Sequence, residues 1–178
     1  MERFRSRLIK VAFIVTALPM VIISTRIITA SERLILFTPQ EAEQLRLSDT
    51  EWKRKTFRLA EPVPKGPVIS LEKPVLTDTT VEPPYVETSS PVNLVVLFKE
   101  RNAPVDMNSL QVFGKKGILK LSLTERLKPY LKGTSLEAPD VHVPKGRFLV
   151  EVLIQDVDGQ KTQKSYRLWI MDEIKDAK

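Results

Sequence analysis

The chain has 178 residues, with 28 Lys and Arg, 22 Asp and Glu, one His and no Cys. Without Cys there are no disulfides, thiolate zinc sites, Cys nucleophiles or lipidation through Cys, and a lone His142 excludes a multi-His metal centre. Residues 1–30 carry five basic groups and one acid, most of the net charge of +6, so the nearly neutral body gives weak grounds for nucleic-acid binding, which needs a concentrated cationic face.

Met1–Lys10 is positive, and Val11–Ser24 is an uncharged, mostly apolar run interrupted by Pro19. A spanning helix needs about 20 apolar residues, so this run is short for a stable anchor. Ile28-Thr29-Ala30 before Ser31 offers a cleavage site, although Ile28 is bulky and Arg26 is close. Residues 1–30 therefore read as a signal peptide or a short membrane anchor, which puts the body outside the cytoplasm. An amphipathic helix of a cytosolic protein fits less well, because residues 11–24 have no polar face.

Residues 31–60 form a helix-like and basic-aromatic segment. Thr38-Pro39-Gln40-Glu41 has the pattern of a capped helix start, with Thr38 as N-cap, Pro39 at N1 and Glu41 at N3 of a helix running towards Leu47. The run Trp52 to Leu59 (WKRKTFRL) reads either as a patch for anionic lipid or polysaccharide, or as a stretch that docks Trp52, Phe57 and Leu59 and leaves its cations in water. The second reading is preferred, since charge runs beside apolar residues are usually the solvated face. Residues 61–91 are a Pro-rich linker holding seven of the 13 prolines, with Val68–Leu71 as an edge strand and Thr77–Ser90 as loop.

From Pro91 the pattern is β. Val92–Phe98 reads as a buried strand, Leu110–Phe113 as a short strand, Gly114–Gly117 as a turn, and Ile118–Leu123 as a weakly alternating stretch. Thr124–Lys128 reads as one helical turn ended by Pro129, and Val141-His142-Val143 as a short extended piece. Phe148, Val150, Val152 and Ile154 alternate with polar or outward residues, Asp156–Gly159 supplies a turn, and Tyr166, Leu168 and Ile170 alternate on the return. Period-2 spacing puts both sets on one inward face of an antiparallel hairpin. Short strands separated by turns give an all-β sandwich over residues 67–172, followed by a charged tail at 173–178.

The pieces Gly66–Ile69, Pro91–Phe98, Val105–Val112, Leu123–Tyr130, Val143–Gly146 and Ile154–Gly159 resemble bacterial extracytoplasmic immunoglobulin-like or fibronectin type III-like modules. The similarity is carried by Pro144-Lys145-Gly146, an alternating strand, and Asp156-Val157-Asp158-Gly159. It implies an immunoglobulin-like antiparallel β-sandwich, preceded by a signal or anchor helix and the Pro-rich linker, with a structural or adhesive role outside the cytoplasm. The chain departs from that pattern in having no Cys pair and in carrying Trp169 on its last strand rather than a Trp in the central core strand.

No Gly-x-Ser-x-Gly elbow, P-loop or His-Glu-x-x-His occurs, and His142 between two prolines reads as a strand or loop residue rather than a base. Asp156-x-Asp158-Gly159 could open a calcium loop, but Lys161 and Lys164 follow and no Glu closes it, so it reads as a hairpin turn. A non-catalytic module without cofactor or metal is expected. On the outward side of the last hairpin, Leu149, Leu153, Trp169 and Met171 stand where a solvated sheet face should be polar, with Glu151 and Arg167 as exceptions. Either residues 34–59 cover this face, or it binds another protein. The candidate partner-binding residues are Leu149, Leu153, Trp169, Met171 and Trp52. The expected role is that of an accessory or structural subunit of a cell-envelope complex, periplasmic, touching membrane only through an uncleaved N-terminal segment. The alternatives are a carbohydrate-binding module using Trp52, Trp169 or Tyr130 as a stacking platform on polysaccharide, and a small envelope hydrolase.

Overall fold

The structure is a computed structural model and describes residues 33–53 and 64–171. The leader expected at 1–30, the docking of Phe57 and Leu59 and the tail at 173–178 lie outside those residues.

Among the described residues, nine strands make two sheets. They are β1 (Val68–Lys73), β2 (Tyr85–Ser89), β3 (Val92–Lys99), β4 (Val105–Lys116), β5 (Leu119–Ser122), β6 (Leu131–Lys132), β7 (Ser135–Val141), β8 (Gly146–Asp156) and β9 (Lys161–Met171). One sheet runs β1-β3-β7-β6 and the other β2-β9-β8-β4-β5. Every pairing is antiparallel except β2 with β9. Val96, Phe98, Leu136 and Ala138 of the first sheet share a single core with Val112, Phe148, Val152, Ile154, Tyr166 and Ile170 of the second. The chain is thus an all-β sandwich with short helices.

The last hairpin has the expected register, with Phe148 opposite Leu168 and Val150 opposite Tyr166. Its turn is held by Asp156, whose Oδ1 accepts from the Asp158 amide at 3.1 Å and the Gln160 amide at 2.8 Å, while Gly159 takes φ +77°. That conformation is one glycine reaches without a Cβ clash.

Three elements exceed the sequence reading. The loop expected at 77–90 contains β2, which joins the edge of the second sheet, where a proline-flanked strand loses no ladder bond on its free side. Leu110–Phe113 is the middle of the 12-residue β4. β7 begins at Ser135 and passes through Pro139. Pro139 is accommodated because pairing with β3 skips there, between Val92↔Val141 and Leu94↔Ala138, with Asp140 at φ +50°.

Residues 34–47 close one end of the sandwich. The Leu36 amide donates to the His142 carbonyl at 2.9 Å, and the His142 amide donates to the Leu34 carbonyl at 2.7 Å. Phe37 stacks on Phe148 with centroids 4.9 Å apart. Both rings are fully buried, as is Leu45. Gly114 makes this fit possible, since a Cβ there would lie 2.7 Å from Phe37 Cε1 and 2.8 Å from Leu45 Cδ1. The helix α1 (Pro39–Leu45) starts as the sequence predicts. Thr38 Oγ1 accepts from the Glu41 amide, and the Glu41 carboxylate accepts from the Thr38 amide.

Glu41 also ties α1 to α3 (Thr124–Leu127) through Arg126. The Arg126 guanidinium donates to both Glu41 oxygens, at 2.7 and 2.8 Å, and to the Leu36 carbonyl at 2.7 Å. The Arg126 hydrogen bonds, helped by those of Thr38 and opposed by burial, bring the Glu41 pKa down to about 2 from 4.5.

Between the sheets lies an apolar cavity of about 80 Å³, walled by residues including Leu71, Val86, Leu94, Val150, Tyr166 and Leu168. The Tyr166 hydroxyl is buried and no described residue bonds it. Burial, reinforced by the charge of Glu82, pushes its pKa up, so the phenol stays neutral.

Two outcomes follow from these contacts. The folded-state pKa of Glu41 is depressed, so its stabilisation is complete above pH 4.5 and fades as pH falls towards 2. Glu41→Gln should therefore cost about 1–2 kcal/mol at pH 7, after allowance for partial solvent screening. In thermal melts its gap from wild type should close between pH 4.5 and 2. Tyr166→Phe removes a buried hydroxyl without a protein partner, and its melting temperature should match or exceed that of wild type.

Candidate functional site

The outer face of the five-stranded sheet is built by β-alternation from residues whose neighbours in sequence face the core. Register sets them in rows: Ser89 beside Met171; Glu87, Trp169 and Arg147; Tyr85, Arg167, Leu149 and Lys115; Ser165, Glu151 and Phe113; Gln163, Leu153 and Gln111. The chain thus brings together four of the five candidate residues, Leu149, Leu153, Trp169 and Met171, on one face. All four are half-buried.

The fifth, Trp52, reaches the same face from α2 (Asp49–Lys53). The signal for α2 is Ser48-Asp49-Thr50-Glu51. The Glu51 carboxylate accepts from the Ser48 amide at 2.8 Å, and Ser48 Oγ accepts from the Glu51 amide at 3.3 Å. The Leu47 amide donates to the Arg147 carbonyl at 2.8 Å and carries the chain from the end of the sandwich onto the face. Trp52 then meets Trp169 edge to face at 6.2 Å and Tyr85 at 5.9 Å.

Two arginines bind this aromatic corner. The Arg147 guanidinium lies over Trp169 at 4.5 Å and pairs with Asp49. Arg167 lies over Trp52 at 5.2 Å, and it donates to the Trp52 carbonyl at 2.8 Å and to the Pro83 carbonyl at 3.0 Å. Quadrupole attraction between cation and ring adds to the area buried. A cleft of about 290 Å³ beside the corner is lined by Arg46, Leu47, Asp49, Lys145, Gly146, Arg147, Trp169 and Ile170.

At the centre of the face Glu151 is only 3% exposed. Its carboxylate accepts from Lys115 at 2.7 Å and Gln163 at 2.6 Å, and it pairs with Lys120 at 3.2 Å. Burial alone would raise its pKa, but hydrogen bonds from the two lysines outweigh this and hold the carboxyl below its ordinary range.

Of the two fates foreseen for this face, residues 47–53 provide cover at the Trp169 corner, while residues 34–46 go to the end of the sandwich instead. Leu149, Leu153 and Met171 keep partial exposure. Tyr130 is not with the tryptophans: it lies in the 3₁₀ turn Lys128–Tyr130 and packs against the core. Trp52 and Trp169 meet at 67° and carry guanidinium groups, so they do not form one flat stacking platform. The sequence reading missed Tyr85, Arg147 and Asp49. Ser48-x-x-Glu51 was the signal available for Asp49, and the alternation of Arg147 with Phe148 the one for Arg147.

Trp52→Ala should lower stability by about 1–2 kcal/mol, for the lost ring pairs and burial. It should also red-shift the emission of Trp169, the remaining tryptophan of the two in the chain, and both effects are readable in one fluorescence melt.

Comparison with protein-family models gave no match, and comparison with curated proteins gave none, so the relationships of this chain rest on its own strand order and surface.

Proposed function

We propose that this chain is an exported, non-catalytic module of immunoglobulin type that acts by binding another protein, as an accessory or structural subunit of a cell-envelope complex. The fold type is supported by strand order. Taking β1, β3, β7 and β6 as A, B, E and D, and β4, β8 and β9 as C, F and G, gives an order in keeping with that type, with β5 and the parallel β2 as additional edge strands. The periplasmic placement rests on the basic n-region, the apolar run and the following small residues of 1–30.

The observation that carries the binding role is the presence of the half-buried apolar residues Leu149, Leu153 and Met171 on the same sheet face as the Trp52–Trp169 corner. A sheet face meant only for water alternates to polar residues, whereas an interface core is enriched in aromatic, Met and Arg side chains. Arg147, Arg167, Trp52, Trp169 and Met171 have that composition.

The test has two arms. A reporter active only outside the cytoplasm, fused after Lys178, reads export. A photo-crosslinking residue at Leu153 or Met171, in cells, reads the partner. The expected result is an active reporter and a discrete envelope-protein adduct from both positions, lost in Leu149→Glu at unchanged melting temperature. An inactive reporter overturns the location. Absence of adducts together with retention on polysaccharide replaces the protein partner with a carbohydrate.

A further inference from the structure

The β4–β5 hairpin ends in a two-residue turn, Gly117–Ile118, between the paired Lys116 and Leu119. Gly117 takes φ +57°, as the first position of such a tight hairpin turn requires. The second position is ordinarily polar, yet here it is Ile118, 105% exposed, followed by Leu119 at 42%. The Ile118 side chain is fully open to solvent. Around this apolar tip stand Lys115, Lys116 and Lys120, and no acid occurs from Met107 to Leu123. Glu151 takes up one positive charge from across the face, so the collar stays cationic.

The tip also lies at the end of the sandwich where the chain enters. Phe37, four residues into the described fold, packs on Gly114, three residues before Gly117. β9 finishes at this end too, with Ile170 opposite Gly146.

We propose that the Gly117–Ile118 tip dips into an anionic lipid interface, with Ile118 and Leu119 among the acyl boundary and Lys116 at the phosphates. This rests on the reading above that residues 1–30 hold or deliver the module to a membrane. Lipid fits better than a protein as the occupant. A convex two-residue tip cannot supply the ~800 Å² per partner of a stable protein interface, whereas a soft interface accepts a protruding apolar pair and rewards basic neighbours.

Because the chain has no Cys, Ile118→Cys gives a unique labelling site, and Val157→Cys, exposed at the opposite end, is its control. The full chain carrying an environment-sensitive fluorophore at either position is reconstituted with phosphatidylglycerol-rich or pure phosphatidylcholine vesicles containing a lipid-borne quencher. Flotation reads the tether, and the label reads the tip. The expected result is flotation together with a blue shift and quenching at position 118 on anionic vesicles, none at 157, and about tenfold weaker partitioning of the tip in Lys116→Glu.

A floating chain whose 118 label stays in water overturns the tip contact and leaves the tether standing. No flotation on anionic vesicles overturns both. An equal response on phosphatidylcholine, or at position 157, overturns the anionic-lipid contact. A 118 label that responds only when envelope protein is added replaces lipid with a protein partner.

Discussion

A sandwich of two short sheets leaves its core open at the ends, and here one end is closed by residues that precede the first strand. Phe37 lies on Phe148, in space that exists only because position 114 has no side chain. Two backbone hydrogen bonds to His142 and the Glu41–Arg126 pair hold the segment in place. Removing it would return Phe37, Leu36, Ala42 and Leu45 to water and bare Phe148. The pre-strand segment is therefore part of the core, and the rest of the architecture depends on it.

The same segment organises the outer face. After α1 the Leu47 amide bonds to Arg147, and α2 then lays Trp52 across Tyr85 and Trp169. One continuous stretch thus seals the interior and then covers a corner of the exterior. The corner is rigid because each cation has two kinds of partner, a ring and an acceptor: Arg147 has Trp169 and Asp49, and Arg167 has Trp52 with two carbonyls. Leu149 and Met171 flank that corner along the sheet, while Leu153 lies beyond the row of Glu151 and Ser165.

How much of this was legible in the sequence depended on whether the signal was local. The Thr38–Glu41 capping box, the alternation of the last hairpin and its Asp156–Gly159 turn rest on near neighbours, and they were read with the correct faces. β2 was hidden because prolines flank it and its partner, β9, lies some 80 residues away. β7 was hidden by Pro139, tolerated only because the ladder with β3 skips there. At the candidate face, the apolar outward set came directly from periodicity. Arg147, Tyr85 and Asp49 did not, since their roles arise from cross-strand and long-range placement.

The lock at Leu34–Phe37 also sets how this domain responds to mechanical load. A pull on the chain ahead of Leu34 arrives first at the two His142 hydrogen bonds and the Phe37 ring, before any ladder between full strands bears tension. Handle and stopper are the same few residues, so traction on the chain ahead of Leu34 would uncork the hydrophobic interior while both sheets were still whole.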